Sequence, residues 1–468
     1  METAKASILS HINVIDFSRV VAAPFASMIL GDLGAKIWKI ERPKIGDESR
    51  SFYPPMINGQ SCYTLSLNRN KKSVAINLAN SEGRELARKL SMRADVLIEN
   101  FKTGYMKKFG LDYENLKRIH SRLIYCSISG YGPDGPYSED PGYDVIAAAI
   151  GEPCKPGVAV TDLMTGLYAH GAILAALLHR DKTGEGQQIQ CNLLSTQLAT
   201  LINIGSNYIN AGIEGKPWGT EHESIVPYQA FRTKDGRYYV LCTKMEMPEL
   251  ANNPEYATNS DRVKNREKLL KKFKEKFLTK DLEFWKNKLR SKSFPSGPVN
   301  TIKEAFEHEQ TKHLDLVKIM EHPKYGNVKV VGPPVKYSDT KNQVRSAPPL
   351  LDKCEDRSEF CEEWGKYCEN VFLHKCTTEC ANTTTEEYEA TIEEYQTTTE
   401  EYEEVTTPII TTTNPTTYLL MTTIVEEISD DEFKDAKKMK CKSCNAKRKK
   451  LAEIYDKYYP KVKIHAKL

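Results

Sequence analysis

Short apolar runs alternate with amphipathic segments through the first half of the chain. Asn13-Val14-Ile15-Asp16 predicts a buried strand, the apolar spacing over 22–33 a helix, and 35–41 a second strand, together a βαβ unit. The pattern recurs with strands expected over 73–77, 95–99 and 123–127 and helices over 82–91 and 113–120. Such alternation argues for a parallel sheet covered on both faces. Ligands on these sheets bind at the carboxyl ends of strands. Those ends carry Glu41-Arg42-Pro43, Glu99-Asn100-Phe101 and Ser129-Gly130-Tyr131-Gly132. The most strongly apolar helical stretch follows Lys155-Pro156-Gly157 and runs through Leu167, Ala169, Ile173, Ala176 and Leu178. Gly184-Glu185-Gly186 then turns into a strand over 188–192, with one long helix expected from Ser195.

The second half reads differently. Residues 1–211 form the large unit and 212–226 a linker. Region 227–320 predicts a small α+β domain: a hairpin turned by Lys234-Asp235-Gly236, a charged helical stretch over 262–289, a break at Phe294-Pro295-Ser296-Gly297-Pro298, and a helix over 302–309. Residues 321–349, with a hairpin at Tyr325-Gly326-Asn327, return to the large unit. Past Pro348-Pro349 the composition changes. A cysteine cluster occupies 350–382. Thr/Glu-rich sequence without apolar period, expected to be disordered, fills 383–430, and a basic tail covers 431–468.

The balance of 66 Lys and Arg against 63 Asp and Glu, net +3, is too even to imply nucleic acid. No stretch reads as a signal peptide, and none is read as a membrane span. The absence of Gly-x-Gly-x-x-Gly after the first strand and of a Walker lysine loop argues against a dinucleotide or P-loop site. Up to residue 349 the cysteines are scattered singly, as in a reducing compartment. Asp162 falls in or just before the first turn of the apolar helix, where unpaired N–H groups and the helix dipole favour negative charge. A carboxylate held ionised there could act as a nucleophile, or could only stabilise the helix.

Several stretches together resemble the family III CoA-transferases. They include Val14-Ile15-Asp16-Phe17-Ser18-Arg19, Leu30-Gly31-Asp32-Leu33-Gly34-Ala35, Asn68-Arg69-Asn70-Lys71-Lys72-Ser73 and Tyr125-Cys126-Ser127-Ile128-Ser129-Gly130-Tyr131-Gly132. Pro141-Gly142-Tyr143-Asp144, the Asp162 stretch and Lys182-Thr183-Gly184-Glu185-Gly186-Gln187 complete the series, over residues 8 to about 349. Pro156-Gly157-Val158-Ala159 and Ser224-Ile225-Val226-Pro227-Tyr228-Gln229-Ala230-Phe231 favour the succinyl-CoA:glutarate branch. The resemblance implies an α/β fold, a Rossmann-like domain plus a small domain, in an interlocked homodimer. It implies coenzyme A as a substrate, no resident cofactor and no metal, with an acyl-CoA and a dicarboxylic acid as partners. Asp162 would be the nucleophile. Val20, Arg42, Asn100, Phe101, Lys108 and Tyr131 would contact CoA or the acyl group, Lys108 standing where the family usually has arginine. Val21 replaces the glutamine of formyl-CoA transferases. Tyr143 replaces the histidine of α-methylacyl-CoA racemases, which disfavours an isomerase. A family segment between Ala149 and Lys155 is shortened, and the glycine-rich loop after the first hairpin is replaced by Thr243-Lys244-Met245-Glu246-Met247-Pro248.

The spacing of Cys354, Cys361, Cys368, Cys376 and Cys380 resembles an ShK-toxin-like module lacking its sixth cysteine, beside the sequon Asn382-Thr383-Thr384. This tail reads as an appended, chimeric segment; in a second reading it supplies the function by binding a partner. Ala466-Lys467-Leu468 resembles a peroxisomal address, so a mitochondrial or peroxisomal enzyme is expected.

Overall fold

A computed structural model of the chain describes residues 7–151, 157–242, 250, 253–290 and 294–351. Six parallel strands form the central sheet: β1 (Asn13–Asp16), β2 (Lys36–Glu41), β5 (Lys71–Ala75), β6 (Val96–Glu99), β7 (Ile124–Ser129) and β8 (Gln188–Asn192), in the order β5-β2-β1-β6-β7-β8. β1 lies near the centre, with Val14 paired to Ile37 on one side and Val96 on the other. The short strands β3 (Met56–Ile57) and β4 (Gln60–Ser61) form a ribbon between β2 and β5 in sequence. The α/β class, with a parallel sheet, is as the sequence implies.

Both faces of the sheet are apolar because both are covered. Val14, Ile37, Val96, Ile98, Ile124 and Cys126 pack beneath α1 (Ala22–Asp32) and a long helix, α6 (Val160–Thr183). On the other face Ile15, Trp38, Val74, Leu97 and Tyr125 pack with Leu86, Ala87 and Leu90 of α3 (Ser81–Ser91) and Tyr113 and Leu116 of α4 (Tyr113–Lys117). Each large side chain buried this way stabilises the fold by roughly 1.5–3 kcal/mol. α6 ends at Gly184, whose left-handed φ of 79° lets its N–H return to the Arg180 carbonyl at 2.8 Å.

The length and apolarity of α6 would suffice to cross a membrane, which corrects the expectation that no segment qualifies. Its Thr165, Ala169, Ile173 and Ala176 are buried, and its Arg180 pairs with Asp95 at 2.9 Å. These are contacts of a core helix.

A second sheet, β11-β10-β9, is built from β9 (Tyr228–Arg232), β10 (Tyr238–Cys242) and β11 (Ser296–Pro298). It packs against the helices Arg266–Phe277 and Leu282–Leu289, with Phe231 stacked on Phe277 at 4.8 Å and the Trp285 indole N–H donating to the Phe277 carbonyl at 3.0 Å. The hairpin of β12 (Val317–His322) and β13 (Gly326–Val331) packs Tyr325 and Val328 on Leu65 of α2 (Cys62–Leu67). The Asn70 side-chain oxygen then accepts from the Arg345 and Ser346 amides at 2.6 and 3.0 Å.

Several elements depart from the sequence reading. The single helix from Ser195 is two, α7 (Leu193–Thr200) and α8 (Asn203–Ala211), broken where Ile202 takes a φ of 48°. β11 occupies the predicted break at Phe294 to Pro298. The charged stretch over 262–289 is divided, with a separate first helix, Asn259–Lys264. β3, β4, α2 and α5 (Asp144–Gly151) were not anticipated. The cysteine cluster, the Thr/Glu-rich stretch, the basic tail, Pro153-Cys154 and the Thr243 to Pro248 segment lie outside the described residues.

Candidate active site

Asp162 is the third residue of α6 and half-buried. Two close backbone approaches set its surroundings. A Cβ on Gly166, one turn further on, would lie 2.6 Å from the Ala22 carbonyl oxygen, so glycine lets α6 press against the start of α1. The first turn of α6 is thereby brought to the loop between β1 and α1. A Cβ on Gly142 would lie 2.3 Å from Gly130 Cα, so the chain entering α5 crosses directly over the exit of β7. That crossing delivers Asp144, the first residue of α5, whose buried carboxylate accepts from the Asp162 N–H at 3.1 Å.

This arrangement corrects the expectation of an ionised Asp162. Burial, and then the neighbouring Asp144, push its carboxyl up to about 7 from 3.8. That rise is worth about 4 kcal/mol at 1.36 kcal/mol per unit. A helix terminus contributes about 0.3–1 kcal/mol, and ~2 kcal/mol in favourable geometries. The dipole therefore loses, and near neutral pH about half of the Asp162 carboxyls carry a proton.

The residues expected to hold CoA cluster at the carboxyl ends of β1, β2 and β6. Asn100 grips Arg19 at both backbone atoms: its Oδ1 accepts from the Arg19 N–H and its Nδ2 donates to the Arg19 carbonyl, each at 2.8 Å. The Arg19 guanidinium lies 4.8 Å from the Phe101 ring centre and pairs with Glu48. Arg42 is exposed and reaches the same Glu48 at 3.5 Å. Phe101 packs on Tyr105 at 5.3 Å, and the exposed Lys108 stands 5.6 Å from the Tyr105 ring. Val20 adopts a φ of 67° and donates its N–H to Asp47 at 3.1 Å. Val20, Arg42, Asn100, Phe101 and Lys108 are thus linked through Arg19, Glu48 and Tyr105. Tyr131, after β7, packs instead on Tyr137 at 5.7 Å.

Besides Arg19, Glu48 and Tyr105, four further residues around the site escaped the sequence reading. Asp144 lies on an unanticipated helix. Tyr63, on α2, has its phenol pushed up by burial and then by the charges of Asp162, Asp144 and Asp47, which puts all four in one neighbourhood. Asp47 and Lys39 form an ion pair under the Val20 loop. A signal existed for Lys39, a lysine inside an apolar strand, which implies a buried partner. A separate cavity of about 120 Å³, lined by Glu99, Lys102, Ser127, Gln188 and Gln190, does not include Asp162.

A half-buried carboxyl, a clamped loop and an aromatic–cationic rim lie together on an open α/β sheet. The chain belongs to CoA-transferase family III, whose profile matches residues 9–354. It is 44% identical over 364 residues to succinyl-CoA:glutarate CoA-transferase of Homo sapiens, covering 73% of this chain and 83% of that protein. The succinate–glutarate CoA-transferase of Agrobacterium fabrum is 37% identical over 339 residues, covering 66% of this chain and 84% of that one. A crystal structure of a CAIB/BAIF family protein from Brucella suis superposes with a TM-score of 0.70 at 34% identity, covering 77% of this chain and all of that one.

Proposed function

We propose that this CoA-transferase moves CoA from succinyl-CoA or a similar donor to a short dicarboxylic acid such as glutarate, with Asp162 as covalent nucleophile. The observation that carries this reading is the half-buried Asp162 carboxyl at the start of α6, beside the Val20 loop. The donor and acceptor follow from the relatives, 44% and 37% identical.

In the proposed sequence the ionised Asp162 attacks the thioester carbon, and CoA thiolate leaves. The product is a mixed anhydride between Asp162 and the acyl group. Thiolate then attacks the aspartyl carbonyl, giving an aspartyl-CoA thioester and free succinate. The acceptor carboxylate attacks this thioester to form a second anhydride; the released thiolate takes the acceptor acyl group, and Asp162 is regenerated. The raised affinity of Asp162 for a proton strengthens it as a nucleophile but removes the reactive form below about pH 7. Arg42, Lys108 and Arg19 supply positive charge for the CoA phosphates, and the Phe101–Tyr105 pair offers a stacking surface.

We further propose a homodimer. Leu178, Ile202, Tyr208, Ile209 and Ile213, on or beside α6 and α8, are more than half exposed, an apolar surface that a second copy would cover. A transfer assay with succinyl-CoA and glutarate tests the function. Appearance of glutaryl-CoA with release of succinate is expected. CoA binding without transfer to any dicarboxylate would overturn it.

A further inference from the structure

We infer that Asp47, paired with Lys39, is a positioning residue that holds the Val20 backbone in the conformation needed to present the acyl-CoA thioester to Asp162. This rests on the transfer reading above. Three consecutive residues of the β1–α1 loop are clamped from three directions. The Lys39 ammonium donates to the Ser18 carbonyl at 2.7 Å. Asn100 takes both backbone atoms of Arg19. The two carboxylate oxygens of Asp47 accept the Val20 N–H at 3.1 and 3.3 Å.

The clamp is itself braced. Lys39 and Asp47, each 1% exposed, meet at 2.9 Å. Asp47 also accepts from the Ser49 N–H at 2.9 Å, and its own N–H donates to Glu41 at 2.9 Å. Glu41 is gripped by Arg50 at 2.6 and 2.9 Å. Burial would raise the Asp47 carboxyl, yet the Lys39 charge and these donors hold it down at about 2, so it stays ionised.

Two energetic costs tie this bracing to function. A β-branched residue at a φ of 67° costs on the order of 1–3 kcal/mol and persists only where its surroundings over-determine it. A buried ion pair is also no better for stability than apolar side chains of similar volume. Two costly features are therefore spent on one loop. That loop adjoins the α1–α6 contact at Gly166, and Tyr63 senses both Asp47 and Asp162.

The test compares Asp47→Ala, Asp47→Asn and Val20→Gly with a control, Asp32→Asn, in the full chain. Asp32 forms another buried pair, with Arg69 at 2.6 Å, at the far end of α1. Asp47→Ala should raise KM for succinyl-CoA and Kd for CoA roughly tenfold, leaving KM for glutarate unchanged. Asp47→Asn, which keeps an acceptor oxygen, should recover much of that loss. Val20→Gly relieves the strain, so it should keep the melting temperature yet raise KM for succinyl-CoA. Asp32→Asn should lower the melting temperature without moving either constant. An unchanged Kd for CoA in Val20→Gly and in folded Asp47→Ala, or an equal rise in Asp32→Asn, would overturn the inference. CoA binding by calorimetry reads it even if the wild type transfers nothing; that outcome would sink only the transfer reading.

Discussion

Replacing Asp144 by asparagine should make the transferase tolerate acid. The asparagine side-chain oxygen can still accept the Asp162 N–H, a bond of 3.1 Å in the parent, so the geometry is kept while the negative charge is removed. Burial is the larger cause of the raised Asp162 pKa and remains; the Asp144 charge is the second cause and disappears. A neighbouring like charge of this kind is worth on the order of one unit. With a wild-type value of about 7, roughly a tenth of the enzyme has Asp162 ionised at pH 6. Lowering that value by about one unit raises the ionised share to about a half, a gain of roughly fivefold. At pH 8 both forms are almost fully ionised and the variant gains nothing. The assay is kcat/KM for succinyl-CoA between pH 5 and pH 9, which reports the free enzyme. An acid limb that does not move, or that moves to higher pH, would refute the electrostatic account of Asp162.

Other consequences can be read independently. Because native Asp162 binds its proton more tightly than the unfolded chain does, stability falls as pH rises from about 4 to 7. Asp162→Asn should therefore lose all transfer while gaining up to about 4 kcal/mol of stability at pH 8 and little at pH 4, measured by denaturant melts. Asn100→Ala removes two hydrogen bonds to Arg19, costing about 1–3 kcal/mol, and should raise KM for succinyl-CoA. Gly166→Ala drives a methyl into the Ala22 carbonyl and the Phe25 ring, and should destabilise by about 1–3 kcal/mol in thermal unfolding.

The sheet was legible because β1, β2 and β6 are short apolar runs separated by helices, and β8 matched residue for residue. α5 was hidden because Asp144 to Gly151 is apolar with no period that separates helix from strand. β11 was hidden because Pro295, Gly297 and Pro298 signal a break, although an edge strand tolerates both residue types. The kink at Ile202 carries no glycine or proline to announce it. Asp162 could be placed on a helix start from sequence, but its protonation depends on Asp144, 18 residues earlier, reaching it through the Gly130–Gly142 crossing. The Lys39–Asp47 clamp joins a strand to the loop beyond it, and only the folded chain brings Val20 to that pair.

In the proposed sequence CoA is carried on Asp162. Incubating the protein with succinyl-CoA and no acceptor, followed by acid quench, proteolysis and mass spectrometry, traps that intermediate if it forms. A CoA thioester is expected on the peptide containing Asp162, lost on adding glutarate and absent from Asp162→Asn. Transfer at full rate with no such adduct, or with the adduct on another residue, would contradict it.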